Sequence, residues 1–216
     1  MTKVAIIDGG MAYTMLFGKL LDMEVVNALD DAELVCFTGG EDVSPHLYGD
    51  YHHDKTWNNP QRDEREAAIY SFCRDRDIPM VGICRGAQFL NVMSGGRMYQ
   101  HVTGHGQPHY LIDQFTGDSV FVSSTHHQMM KPSDNGIIVA LGDGVRGKRE
   151  WYDGTEYRHD VSDKGIEVVY YPHTKCLCFQ PHPEFAVYGA DAKAYRPMAL
   201  YFQKLVGELL RGSIAV

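Results

Sequence analysis

Long apolar runs are missing from this chain of 216 residues. No stretch approaches the roughly 18 consecutive apolar residues of a membrane-spanning helix, so no membrane partner is expected. The opening "MTKVAIIDGG" turns acidic too soon to read as a signal peptide. Excess positive charge is missing too: 20 Lys and Arg stand against 28 Asp and Glu, a net charge of −8. Phosphate contacts need clustered Lys and Arg, so nucleic acid is not an expected partner. The short basic piece "RGKRE", Arg146 to Glu150, reads as a solvated turn. Cysteine is sparse and odd in number: Cys36, Cys73, Cys84, Cys176 and Cys178. A chain this long needs no disulfide staples, and reduced thiols point to a cytoplasmic setting. Cys176 and Cys178 have strand spacing and share one face, but no second cysteine pair completes a structural zinc site. Repeats and low-complexity tracts are absent. One domain over residues 1–216 is the resulting expectation.

What is present alternates. "KVAIID" reads as a buried strand running into Gly9-Gly10, and "AYTMLFGKLL" (Ala12 to Leu21) has helical spacing of apolar residues. "MEVVN" and "ELVCF" are the next strands. A turn-rich loop, "TGGEDVSPHLYGD", follows, and its Gly39-Gly40 pair can bring bare backbone amides close to a ligand. Pro60 to Asp77 opens with proline and early acids, as helices do. "IPMVGI" is a strand, and "RGAQFLNVMSGG" is a helix that closes on Gly95-Gly96. Unbroken apolar strands alternating with helices predict an α/β, doubly wound, mostly parallel sheet with helices on both faces. The second half holds "SVFVSS", "IIVAL", "KREWY", "IEVVYY" and "KCLCF", which predict extra antiparallel strands at one edge. Tyr195 to Gly212 predicts a closing amphipathic helix.

Chemistry in such a sheet gathers at the carboxyl ends of strands, and Cys84 sits at one. Gly82-Ile83-Cys84-Arg85-Gly86 is the cysteine form of the G-x-S-x-G turn. A residue on a sharp strand-to-helix turn is strained, and its neighbours must lack side chains to let the backbone pass. The helix beyond offers amide donors and partial positive charge, which favour a thiolate and an oxyanion. A thiol nucleophile also needs a base. His182 in "CFQPHPEF" follows a strand, and Glu184 lies two residues on, where an extended chain points the same way. The carboxylate can then orient the imidazole. His126 and His127 in "SSTHHQ" are the competing candidates. His101, His105 and His109 recur every four residues, but Gly104, Gly106 and Pro108 break any helix that would align them as metal ligands. No metal is expected.

In their order along the chain, "TGGEDVSPHLYG", "VGICRGAQFLNVMSGG", "VSSTHHQ" and "CFQPHPEF" resemble the class I (triad) glutamine amidotransferases. The helix start "QRDE" and the strand "KVAIIDGG" fit as well, so the resemblance is nearly whole-chain. Within that family the chain looks most like the peptidase C26-like branch that contains the γ-glutamyl-γ-aminobutyrate hydrolases. The resemblance implies a flavodoxin-like fold, Cys84 as nucleophile, His182 as base and Glu184 as its orienting carboxylate. It implies an oxyanion hole from the backbone amides of Gly40 and Arg85. It places Gln88, Ser124, His126 and His127 along the glutamyl pocket. The implied reaction cleaves a γ-glutamyl amide through a thioester and needs no cofactor. The alternatives are a glutaminase subunit that hands ammonia to a separate synthetase, and a non-catalytic binding module. A homodimer is compatible with any of these. The sequence departs from the family pattern at Pro181, where an aromatic is usual.

Overall fold

The computed structural model describes residues 1–143, 150–152, 157–159 and 165–214. The basic piece at Arg146–Glu150 lies outside them, apart from the Glu150 backbone. The first half runs β1 (Lys3–Ile7), α1 (Met11–Met15), β2 (Glu24–Val26), β3 (Leu34–Phe37), α2 (Pro60–Asp75), β4 (Met80–Ile83) and α3 (Arg85–Met93). The second half is strand-rich: β5 (Arg97–Tyr99), β6 (His101–Val102), β7 (His109–Asp113), β8 (Ser119–Val122), β9 (Met129–Lys131) and β10 (Ile137–Asp143). It continues through β11 (Glu150–Tyr152), β12 (Tyr157–His159), β13 (Ile166–Tyr171) and β14 (Cys176–Phe179) to helix α4 (Arg196–Arg211).

Nine strands form one sheet in the order β2-β1-β3-β4-β14-β13-β10-β7-β8. From β2 to β14 all neighbours are parallel. From β14 to β8 all are antiparallel. Every residue of β3, β4 and β14 is buried, as continuous apolar strands covered on both faces should be. Side chains alternate between two cores. Leu34, Cys36, Val81, Ile83, Leu177 and Phe179 face Phe17 and Phe202. Val35, Phe37, Met80, Cys176 and Cys178 face Tyr70, Cys73, Phe89 and Leu90 on the other side. Cys176 and Cys178 therefore share a face, as their spacing requires.

Two segments differ from expectation. Helical bonding over Ala12–Leu21 is α only to Met15 and then widens over Leu16–Leu20, where the Leu21 N–H reaches back to the Leu16 carbonyl at 3.0 Å. The wide turn lets the adjacent Leu16 and Phe17 both enter the core. The antiparallel strands also divide. Four extend the main sheet, whereas β11 pairs with β12 and β6, and β5 pairs with β9, in two small separate sheets. Among the described residues, no helix is long and apolar enough to cross a membrane.

Candidate active site

Strands β3, β4 and β14 are neighbours, and their carboxyl ends lead into Thr38-Gly39-Gly40, Cys84 and His182. Sheet order alone therefore converges the three sequence segments. Cys84 has φ 53° and ψ −111°, in the left-handed range that costs a side-chain-bearing residue about 1–3 kcal/mol. The flanking glycines are dictated by contact. A Cβ on Gly82 would lie 2.3 Å from the Gly86 carbonyl oxygen, and one on Gly86 would lie 2.1 Å from that of Phe37. The first bond of α3 runs from the Gln88 N–H to the Cys84 carbonyl at 3.1 Å. The amides of Arg85 and Gly86 thus have no acceptor within the helix. Cys84 is half-buried; the other four cysteines are fully buried and unpaired. Burial pushes the Cys73 thiol up to about 12 and that of Cys176 to about 11, and raises Cys36 and Cys178 well above the ordinary thiol value. Those four cannot supply a thiolate near neutral pH.

The candidate base, His182, follows β14. His182 Nδ1 lies 2.6 Å from Glu184 Oε1, and Phe185 stacks on the imidazole at 4.9 Å between ring centres. The His182 backbone N–H donates to Ser123 Oγ at 3.0 Å. Burial alone would lower the His182 pKa, but the Cys84 sulfur and the Glu184 carboxylate hold it well above its ordinary value. The imidazolium is the form this site favours. A Cβ on Gly39 would sit 3.2 Å from His182 Cε1 and 3.7 Å from Cys84 Cβ, so the glycine loop packs directly on the pair.

That loop is clamped. Arg62, on α2, donates from Nη2 to the Thr38 carbonyl at 3.0 Å and from Nη1 and Nη2 to the Gly39 carbonyl at 3.1 Å. In a trans peptide the C=O and the next N–H point to opposite sides. Fixing the Gly39 carbonyl on Arg62 therefore turns the Gly40 N–H away from Arg62. The Gly39 N–H is already used, donating to the Tyr13 hydroxyl at 3.1 Å. Burial and the nearby Glu184 carboxylate push the Tyr13 phenol up, which keeps it neutral. Gly40 itself has φ +149°, and a Cβ there would strike Arg62 Nη1 at 2.0 Å.

Behind the loop lies a buried charge network. Arg62 Nε donates to Glu66 Oε1 at 2.8 Å, Arg85 pairs with Glu66 and Asp63, and the Ser44 N–H donates to Asp63 Oδ2 at 3.1 Å. Arg85 also lies over the Phe89 ring at 5.0 Å. Burial, reinforced by neighbouring Arg62, pushes its guanidinium down to about 10, still charged at neutral pH. Sequence reasoning placed the Arg85 amide but missed what its side chain does. It missed Arg62, Asp63, Glu66 and Tyr13 altogether. The signal was available in "QRDEREAA": Arg62, Asp63 and Glu66 fall on one face of a helix, and all three are buried.

The expected pocket residues divide. His127 is one-third exposed, with Nε2 3.4 Å from Asp42 Oδ1 and its ring beside Trp57. Gln88, Ser124 and His126 have buried side chains, and each makes at least one hydrogen bond within the protein. Gln88 Nε2 donates to the Gln128 carbonyl at 3.3 Å and to Gln180 Oε1 at 3.2 Å. Ser124 Oγ donates to the His105 carbonyl, and His126 Nδ1 to the Gln128 carbonyl at 2.7 Å. The reason is local geometry: alternation along the segment after β8 sends Ser124 and His126 inward together.

Replacing Glu184 by Gln tests the charge on the base. The carboxylate favours protonated His182, so its loss lowers the imidazolium pKa. The alkaline limb of kcat/KM should move to lower pH, and kcat should fall roughly 10²–10⁴-fold, as when a triad carboxylate is neutralised. The stability supplied by the charged imidazole is complete below its ordinary pKa of 6.5 and is lost as pH rises through the raised folded value. The variant should lose part of that increment. A limb that stays in place would show that Glu184 does not set the protonation of His182.

Comparison with known proteins agrees with this architecture. The family model described as peptidase C26 matches residues 2–145. The glutamine amidotransferase-like protein YvdE of Lactococcus lactis is 32% identical over 179 residues, covering 73% of this chain and 72% of its own. The γ-glutamyl-γ-aminobutyrate hydrolase PuuD of Escherichia coli K12 is 41% identical over 58 residues, 27% of this chain and 22% of its own. A Thermotoga maritima glutamine amidotransferase structure superposes with a TM-score of 0.56 at 14% identity, covering 98% of this chain and 94% of that one. At that identity the likeness speaks to the fold. With the family model spanning strands β1 to β10 and these relatives alongside it, the chain belongs to the peptidase C26 family of class I glutamine amidotransferase-like hydrolases and transferases.

Proposed function

We propose that this chain, acting as one catalytic unit over residues 1–216, hydrolyses a γ-glutamyl amide bond through a thioester on Cys84. The observation that carries this reading is the strained Cys84 turn facing an imidazole that Glu184 holds at 2.6 Å. The Cys84 thiolate attacks the γ-carbonyl carbon, and the carbonyl electron pair moves onto oxygen. The Gly40 N–H, turned away from the Arg62 clamp, and the Arg85 N–H at the helix start are the donors for that oxyanion. His182 passes its proton to the leaving nitrogen as the C–N bond breaks. Neutral His182 then takes a proton from water, whose oxygen attacks the thioester. Glutamate leaves, and Cys84 regains its thiolate beside the imidazolium. His127 is the side chain of the "SSTHHQ" segment placed to meet substrate. Gln88, Ser124 and His126 act by positioning.

The test is glutamate release from glutamine, from γ-glutamyl-γ-aminobutyrate and from γ-glutamylputrescine by the purified chain. Release from the γ-glutamyl amines without a partner supports a free-standing hydrolase. A second reading, a glutaminase subunit feeding ammonia to a separate synthetase, is favoured by the description of YvdE as amidotransferase-like. It predicts release from glutamine alone, rising when a synthetase is supplied. Release from none of the three substrates under either condition would sink both.

A further inference from the structure

Beyond the active site, three histidines and a glutamate meet in the protein interior. Glu167 on β13 is 0% exposed, and His105, His109 and His126 surround its Oε1. The distances are 3.3 Å from His105 Nδ1, 3.1 Å from His109 Nε2 and 3.4 Å from His126 Nε2. The ligand atoms of His105, His109 and Glu167 all lie within 4.8 Å of one another. The reaction proposed above uses none of the three as an acid, base or nucleophile.

Hydrogen bonding does not account for the cluster. Among the described residues, only His109 is in hydrogen-bond geometry with the Glu167 carboxylate. His105 Nδ1 and His126 Nε2 are near the carboxylate but aligned with no acceptor, and Glu167 Oε2 and His105 Nε2 are also without a partner among the described residues. Four unsatisfied atoms in one buried site is a large cost if nothing else is there. The outer bonds point to what belongs in it. His109 Nδ1 lies 3.1 Å from the Gln107 carbonyl, and His126 Nδ1 lies 2.7 Å from that of Gln128. Each Nδ1 therefore carries a proton and each Nε2 is aimed inward; the proton that His109 Nε2 donates to Glu167 is the one a metal ion would displace. A backbone carbonyl that fixes the tautomer of an inward-facing imidazole is the outer shell of a metal site. Tetrahedral zinc with bonds of about 2.0–2.1 Å sets its ligands about 3.3–3.4 Å apart, close to the three nitrogen-to-Oε1 separations; the ligand atoms of His105, His109 and Glu167 as a set lie within 4.8 Å and would draw in around an ion.

We propose that His105, His109 and Glu167 bind one divalent transition-metal ion of the zinc class, with His126 as the fourth ligand. The donor set is three imidazoles and one carboxylate, which suits zinc and excludes the hard, oxygen-seeking magnesium and calcium. The glycines at 104 and 106 and Pro108, which rule out a helix, let a turn deliver His105 and His109 instead. A Cβ on Gly165 would lie 2.1 Å from His105 Cε1, so that glycine makes room for the inward ring. The ion's role is structural. Ser124 Oγ holds the His105 carbonyl while adjacent Ser123 Oγ holds the His182 amide, so the metal-bound segment and the catalytic base are fastened to consecutive residues.

The experiment uses full-length Cys84→Ser protein, so that the active-site thiolate cannot take metal. After chelation and dialysis it is titrated with Co(II), and then with Zn(II) in competition. One equivalent should bind with the visible ligand-field absorption of a four-coordinate ion, and Zn(II) should displace it and raise Tm. Glu167→Gln should weaken binding at least ~10²-fold, beyond the 10–100-fold typical of outer-shell changes. His173→Gln, an exposed histidine elsewhere, should leave it unchanged. An anomalous difference map of a zinc-soaked Cys84→Ser crystal should place the ion between His105, His109 and Glu167, and does not depend on the variants folding. No stoichiometric binding and no Tm shift would overturn the proposal. So would equal affinity in Glu167→Gln, which would assign the metal to surface histidines.

Discussion

Cys84→Ala will cut glutamate release from the best substrate by roughly 10⁴- to 10⁶-fold, the scale seen when the nucleophile of a triad is removed. The fold will not suffer, because the side chain is small and half-buried. Alanine inherits the strain, since it too has a Cβ at φ 53°. Cys84→Gly relieves it. That variant should be equally inactive but more stable than the parent by about 1 kcal/mol, the lower end of what such a backbone conformation costs. The pair of results separates chemistry from folding: activity lost in both variants, stability gained in one. His182→Ala should cost nearly as much as Cys84→Ala, and the double variant little more than either, because the groups act as a unit. Initial rates together with thermal unfolding of the parent and the four variants decide the matter. Residual turnover within 10²-fold of the parent in Cys84→Ala would remove the thioester from the mechanism.

The second large effect is expected far from the sulfur. Glu66 is fully buried between Arg62 and Arg85. Glu66→Gln keeps its shape and deletes its charge, leaving two buried guanidiniums with Asp63 as the only buried anion between them. Removing one partner of a buried ion pair costs about 3–5 kcal/mol. For a chain of this size that is roughly 10 °C in Tm. Glu64→Gln, on the exposed face of the same helix, should be within about 0.5 kcal/mol of the parent. Activity should fall as well. Arg62 fixes the carbonyls of Thr38 and Gly39, so a loosened Arg62 frees the peptide that aims the Gly40 N–H. A drop in kcat with KM nearly unchanged, measured well below the lowered Tm, is the signature of a misplaced oxyanion donor. Full activity in a destabilised Glu66→Gln protein would confine the network to folding.

The parts of this site legible in the sequence share one property: their geometry is set within five residues. Cys84 between two glycines, His182 two residues before Glu184, and Gly39 beside Gly40 each announce themselves by spacing. The strands β3 and β4 of the parallel half were legible for the same reason, as short, unbroken apolar runs, but β14, expected among the antiparallel strands at one edge, pairs parallel with β4 in the middle of the sheet. What the sequence hid depends on partners distant in the chain. Arg62 gains meaning only when it meets a loop 23 residues away. Tyr13 reads as one more apolar face residue until its hydroxyl meets Gly39. Ser124 and His126 were placed along the pocket by resemblance alone, and nothing local in "SSTHHQ" announces that both side chains are buried. His105 and His109 look wasted in a broken helix, because Glu167 lies 58 residues beyond His109.

The position of β14 has a consequence for how this protein comes into being. It follows the other strands of the sheet in chain order, yet it is inserted between β4 and β13, near the middle of the sheet. A chain on the ribosome that stops short of Cys176 has two half-sheets whose facing edges are both open. Such edges recruit other strands, and the pairing that closes them is distant in sequence and therefore slow. The same delay is protective. Cys84 and the glycine loop are translated first, and His182, the proposed base, follows directly after β14. On the proposed mechanism, a nascent chain thus carries Cys84 without its base until β14 has been made.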